Sequence, residues 1–81
     1  MIKVYILTIE LQNNEATIEY KVVEGLFADK ETAKSEAINR IRMQQSMWDG
    51  SYIKKLGMGK VALIDKDGYS KIYCIREMEV K

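Results

Sequence analysis

The sequence predicts an α+β domain in the order ββαββ, a four-stranded, mainly antiparallel sheet with one amphipathic helix packed on one face, spanning residues 1–81 as a single domain. Three observations lead there. Apolar residues alternate in "IKVYILTIEL" and again in "YSKIYCIREMEV"; the period turns helical from residue 29 to residue 48; and the turn formers "QNNE" and "KDG" punctuate the alternating runs. Two hairpins around one helix favour an antiparallel sheet covered on one side.

The first strand has Ile2, Val4, Ile6 and Thr8 on one parity and Lys3, Tyr5, Leu7, Ile9 and Leu11 on the other. Both faces are largely apolar, as in a central strand. Asn13-Asn14 supplies residues that tolerate positive φ in a tight turn, and Ile18, Tyr20 and Val22 then alternate against Thr17, Glu19 and Lys21 in a half-exposed second strand. Asp29 is placed to cap a helix of about 18 to 20 residues, with Glu31 in the first turn where the helix dipole favours negative charge. At roughly 100° per residue, Ala33, Ala37, Ile41, Gln44 and Trp48 share a sector flanked by Ile38, while Asn39, Arg42, Met43 and Ser46 face away. The small alanines let the helix lie close to the sheet. Asp49-Gly50 ends it, and residues 49–60 read as a loop. "KVALID" is a short strand, and the final strand carries Ile72, Cys74, Met78 and Val80 on one parity. The expected packing sets Ala33, Ala37, Ile41 and Trp48 on Val4, Ile6, Ile18, Val22, Val61, Leu63 or Ile72.

A 47% apolar fraction with 31% charge is the profile of a globular chain, and 81 residues hold one core at most. So short a chain buries only about 60 to 65% of its unfolded surface, which makes a second copy an expected source of added burial. Cys74 is the single cysteine and there is no His, so one chain assembles neither a Cys/His zinc site nor a Ser/His/Asp nucleophile. The expectation is a non-enzymatic chain without a cofactor or metal. With no apolar run near the roughly 20 residues of a membrane span, no export signal and a free thiol, the expected location is the cytoplasm.

The net charge of +1 conceals a gradient. Residues 1–36 carry four Lys against seven acids, residues 37–64 five basic groups against one acid, and residues 65–81 four of each. The middle is therefore basic. "GMGK" at Gly57 to Lys60 has the Gly and Lys of a phosphate cradle, but Lys54 and Val61 stand where a Walker loop needs Gly and Ser or Thr. It reads as a loop leading into a strand. "DKDG" at Asp65 to Gly68 begins like a calcium loop, but its Gly comes too early and no Glu closes it, so it reads as a hairpin turn. Glu77 and Glu79 share a strand parity and read as solvated edge charge rather than an acid/base pair. Trp48 and Cys74 read as core residues.

The remaining candidates for a binding site are Arg42, Tyr52, Lys54, Lys55 and Lys60, with Arg40 beside them. Basic and aromatic groups of this kind neutralise phosphates and stack on bases, and Tyr and Arg are also enriched in protein interfaces. A protein partner is the leading expectation. The alternative is a small nucleic-acid-binding regulator using the basic 40–60 segment.

The stretch "YKVVEGLFADKETAKSEAINRI" resembles the strand-then-helix segment of SPOR-type peptidoglycan-binding domains, over about a quarter of the chain. The likeness is confined to the chemistry of a helix start, since residues 56–81 show no second helix. In outline, with paired hairpins, one amphipathic helix and no catalytic constellation, the chain resembles small phage-encoded inhibitors of bacterial defence, including anti-CRISPR proteins. That resemblance lies in size and architecture and transfers no functional residue. It implies a partner that is a larger bacterial protein or ribonucleoprotein complex, met in the host cytoplasm and inhibited by occlusion of a channel or assembly surface. A net charge of +1 sets the chain apart from acidic DNA-mimicking members.

Overall fold

Two long central strands organise the computed structural model, which describes residues 2–80. The elements run β1 (Ile2–Gln12), β2 (Ile18–Phe27), α1 (Lys30–Met47), β3 (Tyr52–Gly57), β4 (Lys60–Ile64) and β5 (Ser70–Val80). All lie in one sheet of order β2-β1-β5-β4-β3, with every neighbouring pair antiparallel. β1 and β5 pair from Ile2↔Val80 to Gln12↔Ser70 without a register shift, which explains why both were apolar on more than one parity.

The sheet thus has five strands rather than the four expected, because residues 52–57 are not a loop. "YIKKLG" conceals its strand character by placing two lysines side by side, so neither parity reads as apolar. What makes it a strand is β4, against which Tyr52↔Ile64, Ile53↔Leu63, Lys54↔Ala62 and Lys55↔Val61 are in register. The hairpin closes through Met58 at φ 53° and Gly59 at φ 76°, the pair of positive values that a two-residue type I′ turn requires. "GMGK" is this turn.

The helix starts where its sequence places it. Thr32 N–H donates to Asp29 Oδ1 at 2.8 Å and Thr32 Oγ1 donates to Oδ2 at 2.8 Å, and these bonds hold the Asp29 carboxyl below its ordinary pKa. Ala33, Ala37 and Ile41 are buried, as the helical period requires, and the main contacts of α1 are with β1, β2 and β5.

Which sheet face lies under the helix differs from expectation. Leu7, Ile9, Leu63 and Tyr73 form the core with Ala37 and Ile41, and Phe27, Trp48, Val61 and Ile75 pack around them. Val61, Leu63 and Trp48 are where they were expected. Val4, Ile6 and Ile72 belong to the other parity of β1 and β5 and lie on the helix-free face, while Ile18 is 56% exposed. Two apolar parities gave the pattern no means of choosing between faces. Cys74 is buried, but beside Thr8 on the helix-free face rather than under the helix.

β2 carries two register shifts against β1, at Leu7/Thr8 and at Leu11/Gln12. The first turns Glu24 toward the helix, where it accepts from Arg40 Nη1 at 2.7 Å, and Glu36 lies 3.0 Å from Arg40 Nε. Arg40 is thereby engaged in the fold. No helix among the described residues is long and apolar enough to cross a membrane.

Candidate functional site

Because α1 leans over β1, β2 and β5, the β3–β4 hairpin extends beyond its cover and a groove of about 420 Å³ opens between the two. The floor is apolar, formed by Ala37, Ile38 and Ile41 of the helix and by Val61, Tyr73 and Ile75 of the sheet. Lys34 and Lys55 stand around it, Lys60 borders both it and the helix-free side of the sheet, and among the described residues no carboxylate lines it. Lys34 lies 3.8 Å from Glu31, an exposed pair of little energetic weight, whereas Lys54, Lys55 and Lys60 have no ion-pair partner among the described residues. Burial pushes the Tyr73 phenol up to about 12, so it is a neutral, amphipathic part of this floor at ordinary pH.

The five residues expected to form a partner site are only partly brought together. Lys55 lines the groove, and Lys60, opposite Cys74, borders both the groove and the helix-free cleft. Tyr52 and Lys54 have the opposite parity of β3 and belong to the helix-free face, one strand thickness away. Arg42 is exposed on α1, about 100° around the helix from the buried Ile41, and joins neither group. Lys34 and Ile38 were missed; their spacing of four residues on one helix was the available signal, but only the overhanging hairpin makes it a groove wall.

A second, wider cleft of about 590 Å³ occupies the helix-free face, with Thr8, Ile72 and Cys74 in its lining and Glu10, Lys21, Lys60 and Arg76 among its charged members. Opposite charges face each other there, since Glu10 pairs with Lys21 across β1 and β2. Beyond it toward the free ends of β1 and β5, the same face turns apolar: Ile2, Val23, Leu26, Met78 and Val80 are 43 to 68% exposed.

"DKDG" forms the β4–β5 turn, in which the N–H groups of Asp67 and Tyr69 donate to Asp65 Oδ1 at 2.8 and 3.0 Å. Tyr5 Oη donates to Glu77 at 3.2 Å and Lys3 lies 3.8 Å from it, all on the exposed surface. Among the described residues no three His, Cys, Asp or Glu side chains gather as a metal site would need.

No protein-family model, curated protein or solved structure matches this chain.

Proposed function

We propose that the chain is a non-enzymatic protein-binding module, and that its contact surface is the β3–β4 hairpin with the lysine-rimmed groove behind it. The single observation that carries this reading is the groove's composition: an apolar floor for anchoring side chains, with Lys34 and Lys55 at its rim, Lys60 at its border, and no carboxylate among its described lining residues. Apolar centres with a polar rim are how proteins bind one another, and the unpaired lysines favour an acidic partner surface. Occlusion of a surface on a larger bacterial protein or ribonucleoprotein is the mode of action consistent with the resemblance to phage-encoded inhibitors.

The test is capture from bacterial lysate with and without nuclease, followed by titration of the purified partner. Tyr52→Ala and Ile38→Ala are each expected to weaken the complex by about 2 kcal/mol, chiefly through faster dissociation. Lys54→Ala with Lys55→Ala is expected to slow association and flatten its salt dependence. Loss of the partner on nuclease treatment, with the purified chain binding DNA or RNA alone, would replace this reading by that of a nucleic-acid-binding regulator.

The exposed apolar end of the helix-free face favours a second reading, a homodimer. Ile2, Val23, Leu26, Met78 and Val80 present an apolar patch on the order of 500 Å², large enough to signal an interaction site. With the half-buried Val4 and Ile6 it still falls short of the roughly 800 Å² per partner of a standard interface, so neighbouring residues would have to contribute. Two sheets stacked about a two-fold axis would cover it. Sedimentation equilibrium should then give a dimer mass that Leu26→Glu with Met78→Glu reduces to the monomer's; a monomer mass for the unaltered chain up to near-millimolar concentration rejects the dimer.

A further inference from the structure

The groove and the edge of the sheet are one feature, and together they specify the form of the partner. Among the described residues β3 pairs with β4 alone, so the backbone groups along its other side have no strand partner there, and all six of its residues are exposed. The other edge, β2, twice departs from regular register against β1 and lies partly under α1. From Tyr52 to Lys55 the β3 register is unbroken. We infer that β3 takes an extended segment of the partner as a sixth strand of the sheet, with apolar side chains opposite Tyr52 and Ile53 and acidic ones opposite Lys54 and Lys55. This inference rests on the protein-binding reading above.

The strand geometry sets the pattern. Side chains directly opposite across two strands are about 4.5 to 5.5 Å apart and lie on the same face. A residue opposite Lys55 therefore stands on the helix side, at the mouth of the lysine-rimmed groove, and one opposite Lys54 stands on the other side of the sheet. Side-by-side lysines on an edge strand thus ask for side-by-side acids on the incoming one. The apolar residue opposite Ile53, itself 47% exposed, extends the groove's apolar wall. Main-chain bonds supply affinity in such strand addition and alternating side chains supply selectivity.

A second copy of this chain is a poorer sixth strand than an acidic segment. Two β3 edges paired about a two-fold axis centred on Lys54 or Lys55 would set a lysine against its own copy, and like charges directly opposite destabilise a ladder; the register centred on Ile53 escapes this but leaves both lysines of each edge without an acid. Edge lysines of this kind also discourage a free edge from self-pairing, so the same residues disfavour the chain's own copies and favour an acidic segment.

Selection from a displayed library of random capped peptides on the immobilised protein tests this directly. Enriched peptides should carry adjacent acidic residues flanked by apolar ones, and the tightest of them, added to the protein, should slow hydrogen exchange of the amides between Tyr52 and Leu56. N-methylation of alternate residues along one edge of that peptide should abolish binding, and along the other edge should leave it intact. Lys54→Glu with Lys55→Glu should lower its affinity at least about tenfold, and replacing the peptide's acids by lysines should restore binding to that variant. Failure to enrich any peptide, enrichment without acids, protection mapping elsewhere, or indifference to N-methylation on both edges overturns strand addition. If a nuclease-resistant partner is nonetheless captured, only this inference fails; if capture depends on nucleic acid, the protein-binding reading fails with it.

Discussion

Asn13 and Asp65 open two hairpin loops that are closed by the same hydrogen bonds. Each side-chain Oδ1 accepts from the N–H groups two and four residues on, at 2.9 and 3.0 Å for Asn13 and at 2.8 and 3.0 Å for Asp65. Each backbone carbonyl accepts from the residue three on, and each N–H donates to the carbonyl four on. The geometry forces positive φ three residues along, and there the loops part: that position is Gly68 at φ 90° in one and Ala16 at φ 63° in the other. Positive φ was expected of the Asn pair, but Asn13 contributes its side chain and leaves the strained conformation to Ala16.

Ala16→Gly should therefore stabilise the protein. A left-handed conformation costs a non-glycine residue roughly 1 to 2 kcal/mol, and the added freedom of Gly in the unfolded chain returns part of it. A net gain of about 0.5 to 1 kcal/mol is expected in urea unfolding at unchanged m-value, and a loss would show that Ala16 is not strained.

The β3–β4 turn allows a sharper comparison. A Cβ on Gly59 would meet the Ile75 carbonyl oxygen at 2.8 Å, and Ile75 N–H donates to the Gly59 carbonyl at 3.0 Å, whereas a Cβ on Gly57 meets nothing within 4 Å. Both glycines have positive φ. Gly57→Ala should cost about 1 kcal/mol from backbone strain alone, and Gly59→Ala at least about 2, because the clash also opens the hairpin from β5. Equal costs in equilibrium unfolding would contradict this docking of the turn.

The face of the sheet that meets the helix is tested by neighbouring residues. Leu7 is fully buried under α1, and Ile6 is half-buried on the helix-free side. Leu7→Ala and Ile41→Ala should each cost about 2 to 4 kcal/mol through lost burial and a cavity, and Ile6→Ala about 1. The reverse order would place the helix on the other face.

Tyr73 should make the fold sensitive to alkali. Its ordinary value is 10.0, and burial raises it in the folded state to about 12. Between these values the unfolded chain has lost the proton that the folded chain keeps, so stability is fully present below pH 10 and falls as pH rises to about 12. Tyr73→Phe should flatten this decline in chemical unfolding measured at successive pH values; a decline of unchanged steepness would assign it to other groups.

Much of the architecture was written in short-range patterns. Asp29 and the alanines at 33 and 37 specify a helix start and a buried stripe locally, because capping and helical period involve residues three and four apart. The turns at residues 13–17 and 65–69 were legible for the same reason, since their bonds close within five residues. Three features depended on contacts distant in sequence. β3 is a strand only because β4 pairs with it, its adjacent lysines having erased the alternation that marks a strand. The choice of Leu7, Ile9 and Tyr73 over Ile6 and Ile72 as the helix-facing set was left open by two apolar parities, and was made by the packing of the whole sheet under α1. The candidate site divides in the same way: Lys55 and Lys60 were visible as charge, but that they ring an apolar groove with Lys34 and Ile38 follows from how far the hairpin extends past the helix, which is a property of the assembled sheet and of no single segment.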